Sequence, residues 1–298
     1  MHEAIGQIAS HVPQGIALAE PITTPYNRII VCGMGGSAIA GEIISMMRDD
    51  VIVHWNYGIP SSATMHDLVV CISWSGMPAE VLSSYQAAQK LGATIACITT
   101  GGTLGAWARR DGTHLIPMPL SAPAPRLGAG LMTGALLGLL AMQQHAPLVD
   151  ATALEVRGKT LARDIGDRIP VFYSPFALRK AGGFFKAMIN ENAKHPAFCA
   201  SFPSASHNDI LSWQQSPQEL VPVIVHNLTK PEDSPDISAF LAMMTEMRYT
   251  VPVVDLPDDS VLNTMLSGYI LALWTSYHMA LEAGVDPLST TWIDTFKQ

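Results

Sequence analysis

At 298 residues the chain is long enough for two domains of about 150 residues each. Its 48% hydrophobic and 14% charged content excludes a disordered chain, and a net charge of −8 argues against a nucleic-acid partner, since a phosphate backbone demands a basic face. One phosphorylated small molecule stays possible, because a few local donors suffice to hold it.

The N-terminal stretch MHEAIGQIAS has no basic region followed by an apolar core, so no signal peptide is expected. Ile29-Ile30-Val31-Cys32 is a short apolar run that ends in Gly33-Met34-Gly35-Gly36-Ser37, and Ala38 to Met47 has helical character. Strand, glycine turn and helix point backbone N–H groups and a helix dipole at an anion. Gly33-x-Gly35-x-x-Ala38 formally matches the dinucleotide fingerprint. The next strand, however, runs into His54-Trp55-Asn56 with no acid for a ribose, so no NAD cofactor is expected.

The pattern repeats. Leu68 to Ile72 reads as a buried strand ending in Ser73-Trp74-Ser75-Gly76, and Pro78 suits the first turn of a helix running to about Leu91. Thr94 to Ile98 and His114 to Ile116 are further strands, separated by a helix near Leu104 to Arg110. Such alternation predicts a parallel sheet covered on both faces, with ligands outside the carboxyl ends of the strands. Ser37, Ser73 and Ser75 then share one edge, as a phosphate cradle or simply as good turn residues. Arg126, after Pro123-x-Pro125, is either an exposed residue at a helix start or a positioned anion binder. The uncharged segment Leu127 to Met142 is too short to span a bilayer, and Ser260 to Leu281 carries too many polar side chains, so both are expected to be core helices and no membrane partner is expected. Cys32, Cys71 and Cys97 fall in strands and read as small buried hydrophobes in a reducing compartment, with no CxxC pair and no metal site.

Pro147 and Asp150 mark an expected domain boundary, giving domains 1–149 and 150–298. A helix from Ala151 to Ile165, a strand over Ile169 to Tyr173 and a helix from Phe176 to Asn192 open the second half. Glu191 lies on the last turn of that helix, where a carboxylate opposes the dipole, a mild hint of function. Asn190-Glu191-Asn192-Ala193-Lys194 is followed by His207-Asn208-Asp209 in a Ser/Pro-rich loop. The two side chains could be a carbon base and a second acid/base, or a helix-end carboxylate and a surface histidine. Strands at Val221 to Val225 and Val251 to Leu256, with a helix between them and a long one from Ser260, repeat the α/β architecture.

With these pieces placed, the chain resembles the bifunctional phosphoglucose/phosphomannose isomerases of the sugar isomerase (SIS) superfamily. The resemblance rests on Gly33-Met34-Gly35-Gly36-Ser37, Ser73-Trp74-Ser75-Gly76, Pro125-Arg126, Asn190 to Lys194, His207-Asn208-Asp209 and Ile293-Asp294-x-x-Lys297, in the family's order. It implies an α/β fold of two SIS-type domains, each a parallel sheet flanked by helices in a three-layer sandwich, and a cytoplasmic homodimer. It also implies metal-free and cofactor-free interconversion of fructose 6-phosphate with glucose 6-phosphate and mannose 6-phosphate. Carried over, Glu191 is the base working between C1 and C2, and His207, reaching in from the neighbouring subunit, assists ring opening. Arg126 stabilises the cis-enediolate, Lys297 lies near the sugar ring, and Ser37, Ser73 and Ser75 hold the phosphate with Gly35 and Gly36 in the same loops. One departure is plain. The family's serine loop continues Gly-Asn-Thr-Glu-Glu, whereas this chain reads Gly76-Met77-Pro78-Ala79-Glu80. Losing a neutral hydrogen bond to a charged group costs about 1.5–3 kcal/mol, or roughly ten- to a hundred-fold in affinity. The alternatives are a sugar-phosphate-binding protein without catalysis and an SIS enzyme for another phosphosugar.

Overall fold

The computed structural model describes residues 1–142, 149–215, 218–228 and 234–296. The chain divides into two compact units, Gly6–Leu148 and a second made of Met1–Ile5 with Val149–Gln298. Pro147 lies outside the described residues.

The N-terminal unit holds a five-stranded parallel sheet: β1 (Ile29–Gly33), β2 (Val51–His54), β3 (Leu68–Ser73), β4 (Thr94–Thr99) and β5 (His114–Pro117), in the order β2-β1-β3-β4-β5. Every residue of β1 and β3 is buried, as continuous apolar runs in a two-sided sheet require. Of the chain's helices, α1 (His2–Gly6) precedes α2 (Ile8–Leu18) and α3 (Ile39–Ile44), with α4 (Ala79–Leu91), α5 (Gly102–Asp111) and α6 (Ala129–Leu139) following. One face of the sheet packs Ile30, Cys32, Val69, Cys71, Ile95 and Cys97 under Val81 and Tyr85 of α4 and Leu104 and Ala108 of α5. The three cysteines are register neighbours on β1, β3 and β4, all buried. The other face is covered by α3 and α6.

The uncharged segment expected in the core forms α6, every residue of which is buried. Gly130, Gly134 and Gly138 lie one turn apart on it and face α2. A Cβ on any of them would run into the carbonyl of Ile8, Val12 or Ile16. Their missing side chains let the two backbones approach closely.

The C-terminal unit carries a four-stranded parallel sheet: β6 (Ile169–Pro175), β7 (Phe198–Phe202), β8 (Leu220–His226) and β9 (Val253–Asp255), ordered β7-β6-β8-β9. Its helices are α7 (Ala151–Ile165), α8 (Arg179–Met188), α9 (Asp209–Ser212), α10 (Pro235–Glu246), α11 (Val261–Glu282) and α12 (Thr291–Phe296). Tyr173, Phe202, Trp213 and Ile224 pack against Ile237, Phe240 and Met244 of α10 on one face. Phe172 stacks on Phe185 of α8 on the other, 4.9 Å between centroids. Helix α11 lies against α7 and α8, and its buried hydroxyls bond its own carbonyls: Thr264 to Ser260, Thr275 to Leu271 and Ser276 to Leu273. That is how so polar a segment is buried. The first residues join this unit because the His2 ring bonds Glu155 at 2.8 Å and meets Trp274 edge-on. Among the described residues no helix is long and apolar enough to cross a membrane.

One expectation on an element is corrected. The helix expected over Phe176 to Asn192 is a 3-10 turn (Phe176–Leu178), then α8, then a π turn (Ile189–Ala193), so Glu191 is not on the last turn of an α-helix. Strand β7 and helix α2 were not foreseen. β7 is short and mostly polar or small, with exposed Phe198 at its start, the character of an edge strand whose apolar pattern is weak.

Candidate active site

In the N-terminal sheet the chain leaves β1 for β2 on one side and later places β3 on the other. This leaves a crevice at the carboxyl ends of β1 and β3. The glycine loop and the serine loop both end there. Ser37 Oγ accepts from the Trp74 N–H at 3.0 Å, Ser73 Oγ from the Gly76 N–H at 3.0 Å, and Ser75 Oγ from the Met77 N–H at 3.4 Å. Because each oxygen is an acceptor in these bonds, each hydroxyl hydrogen remains to be donated to an anion. Ser37 and Ser73 are buried and Ser75 is exposed, so the three form a graded wall from the sheet edge outward. The serine loop is itself stitched to the loop after β4, for Trp74 O accepts from Thr100 N and Oγ1 and Gly76 O accepts from Leu104 N.

The two glycines of the first loop are needed for different reasons. Gly35 has φ +51°, the left-handed region, and a Cβ there would meet open space. Gly36 is needed for close approach, since a Cβ would strike the backbone amide of Arg126. The 3-10 turn Pro125–Gly128 thus seats Arg126 directly on the glycine loop, with its side chain 1% exposed. An exposed arginine at a helix start is ruled out. Trp74 packs its ring on Gly128 of the same turn. The departure in the serine loop is also visible. Met77 is 58% exposed and its Sδ accepts from Thr103 Oγ1 at 3.7 Å, while Pro78 begins α4 without a side-chain cap.

In the C-terminal unit, Glu191 lines a cleft of about 880 Å³ together with Asn190, Lys194, His195 and the segment from Val285 to Ile293. The run Asn190 to Lys194 is held by bonds from its own side chains. Asn190 Nδ2 donates to His195 O at 2.9 Å, Asn192 Nδ2 to Ser276 Oγ of α11 at 2.9 Å, and Lys194 Nζ to Glu191 O at 2.6 Å and Ser289 O at 2.8 Å. Lys194 takes a left-handed φ of +57° and closes the turn. A π turn widens the helix by one residue per turn, and such turns recur at functional sites. Here it places the Glu191 side chain on the cleft, with the flanking residues committed to the scaffold.

His207 ends the 3-10 turn Ser204–His207 after β7, exposed and outside the lining of the Glu191 cleft. Lys297 lies outside the described residues. The structure therefore gathers Gly35, Gly36, Ser37, Ser73, Ser75 and Arg126 on one sheet edge of the N-terminal unit, and sets Glu191 and His207 on different loops of the C-terminal one. Two contributors were missed in the sequence: the loop after β4, signalled by its paired glycines Gly101-Gly102, and the cleft wall after α11, signalled by the Val285-Asp286-Pro287 turn. Among the described residues no group of three or more His, Cys, Asp or Glu is placed to hold a metal ion.

Residues 155–298 match the bacterial phospho-glucose isomerase C-terminal SIS domain. The chain is 31% identical over 301 residues to a bifunctional phosphoglucose/phosphomannose isomerase of Aquifex aeolicus, covering 92% of this chain and 91% of that protein. It is 28% identical over 270 residues to a D-glucosamine-6-phosphate 4-epimerase of Sulfolobus acidocaldarius, covering 87% and 84%. The C-terminal domain of glucosamine-fructose-6-phosphate aminotransferase from Francisella tularensis superposes with a TM-score of 0.72 over 96% of each chain, at 14% identity, a likeness of fold alone.

Proposed function

The chain belongs to the bifunctional phosphoglucose/phosphomannose isomerase family, and we propose that it interconverts fructose 6-phosphate with glucose 6-phosphate and mannose 6-phosphate through a cis-enediolate. The observation that carries this reading is Glu191, set by a π turn on the wall of a cleft with ample room for a sugar phosphate while its neighbours hold the turn in place. Removing a proton from carbon beside a carbonyl needs a base fixed against that carbon, and a cation or donors at the developing oxyanion. Glu191 is the base that carries the proton between C1 and C2, and Arg126 offsets the charge of the enediolate. Ser37, Ser73 and Ser75 donate to the phosphate, with the Gly35 and Gly36 turn shaping their loop. His207 is proposed to assist ring opening in the site of a second copy. Its exposure and its place outside the lining of the Glu191 cleft support delivery to a partner, and a homodimer working in the cytoplasm is proposed as the active form. Lys297 is proposed to lie near the sugar ring.

The test is a coupled assay with fructose 6-phosphate that reads glucose 6-phosphate and mannose 6-phosphate separately. Glu191→Gln keeps the shape and removes the base, so isomerisation falls by at least ~100-fold, the lower range for general-base catalysis. Phosphosugar binding changes far less. Full activity in Glu191→Gln removes the mechanism, and tight binding without turnover in the wild type identifies a binding protein instead. A second reading, an SIS enzyme acting on another phosphosugar, is favoured by Met77-Pro78 in the phosphate loop and by the likeness to an enzyme named for glucosamine 6-phosphate. Turnover of an amino-sugar phosphate in place of fructose 6-phosphate decides for it.

A further inference from the structure

Part of the wall of the Glu191 cleft is built by the segment after α11, and its side chains differ in kind. Trp292 is 86% exposed and Ile293 42%, both lining the cleft. Around them stand small polar groups, among them Asn190, Ser289 and Thr291. An indole with so much of its surface in water is poorly used as a packing residue, for its apolar face gains nothing until something covers it. The backbone leading to it is nevertheless anchored. Lys194 donates at once to the carbonyl of Glu191 and to that of Ser289. The Ser289 hydroxyl in turn pairs with Thr291 Oγ1 at 3.1 Å at the start of α12. One ammonium therefore ties the backbone that carries the carboxylate to the backbone that carries the indole.

We propose that Trp292 is the platform for the carbon skeleton of the sugar in this cleft, a residue that sets affinity and selects hexose phosphates over smaller phosphate esters. The inference rests on the reading of Glu191 as the carbon base. A hexose presents a face of C–H groups with hydroxyls around its rim. An exposed indole covers the first, and the surrounding hydroxyl and amide groups meet the second, the mixture by which small-molecule sites combine apolar area with a few directional partners. An aliphatic wall could supply area but not a flat face. Because the platform grips the skeleton and not the reacting atoms, it holds substrate and transition state alike. Its loss raises KM and leaves kcat nearly unchanged. Inorganic phosphate, which has no carbon skeleton, does not feel it.

The experiment compares the full-length wild type with Trp292→Ala and Trp292→Phe. The expected result is a KM for fructose 6-phosphate raised about 10-fold in Trp292→Ala with kcat within about two-fold, largely restored in Trp292→Phe, and unchanged affinity for inorganic phosphate in all three. Tryptophan fluorescence of the wild type should respond more to hexose phosphate than to inorganic phosphate, which reaches only the Trp74 loop, and that excess should be lost in Trp292→Phe. An unchanged KM in Trp292→Ala overturns the proposal, and so does a loss of activity that tracks a shift in oligomeric state by sedimentation, since Trp292 would then be a contact between copies. Failure of the isomerase reading is separable. A wild type that turns over no hexose phosphate refutes that reading, while the fluorescence response still decides whether the indole meets the sugar.

Discussion

Ser37 makes one bond inside the protein and has one proposed role at the phosphate, and its substitution should show both. Its oxygen accepts from the Trp74 N–H inside the protein, while its hydrogen is the one assigned to the phosphate. Ser37→Ala leaves that amide buried without its acceptor, which costs about 1–3 kcal/mol of stability, and removes a donor from the cradle. The expected outcome is a lowered denaturation midpoint together with weaker binding of inorganic phosphate by calorimetry. Ser75→Ala should weaken the same binding with little change in stability, because Ser75 is exposed and its bond to Met77 is long at 3.4 Å. A substitution pair that affects both properties equally at both positions would contradict the graded cradle. The sequence made these serines candidates, but it could not say that their oxygens were already engaged. Nor could it say that Gly36 is small in order to admit Arg126.

Helices α2 and α6 test whether the glycines of α6 serve close approach. Ala on an exposed helix is favoured over Gly by about 1 kcal/mol. At Gly134 the sign reverses, because the added Cβ runs into the Val12 carbonyl. Gly134→Ala is expected to destabilise by about 1–3 kcal/mol, the usual range for overpacking, as read by urea unfolding. The π turn and α12 offer the second test at this scale. Lys194→Met removes both bonds from Nζ, so amide exchange should quicken in residues 288–296 while the protection of α8 is retained. Unchanged exchange there would mean that Lys194 does not fix the C-terminal wall. The sequence showed a helix running up to Glu191. It could not show the π turn, whose side chains Asn192 and Lys194 donate to partners far along the chain, Ser276 Oγ and Ser289 O.

At the scale of the whole molecule, acid stability has an identifiable source in the buried carboxylate of Asp67 and its partly exposed partner Arg28, at the amino ends of β1 and β3. Arg28 bonds both oxygens of Asp67, at 2.9 and 3.3 Å, and the Thr64 N–H adds a third bond. Burial alone would raise the Asp67 carboxyl, but the Arg28 and Thr64 bonds outweigh it and hold the group below its ordinary value. A depressed folded-state value means that the stabilisation is present above the unfolded value of about 3.9 and is lost as pH falls through the folded one. Asp67→Asn should therefore be less stable than the wild type near neutral pH. The gap should close only in acid, below the usual carboxylate range. Thermal unfolding of both proteins across that range measures it, and a gap independent of pH would refute the assignment.

Hydrophobic runs of period and length suited to buried strands were enough to specify two parallel sheets flanked by helices, because burial on both faces dictates the residues strand by strand. β1, β3, β4 and β8 needed nothing else. The motifs of the glycine and serine loops and the run Asn190 to Lys194 were equally legible, since turn chemistry and chain order are local properties. What only the tertiary structure decided was placement. Arg126 became a buried neighbour of Gly36, His207 an exposed residue outside the Glu191 cleft, and Trp292 part of that cleft's wall. The physical reason is common to all three. Each position is fixed by contacts between segments distant in the chain, and such contacts leave no periodic trace in the residues that make them.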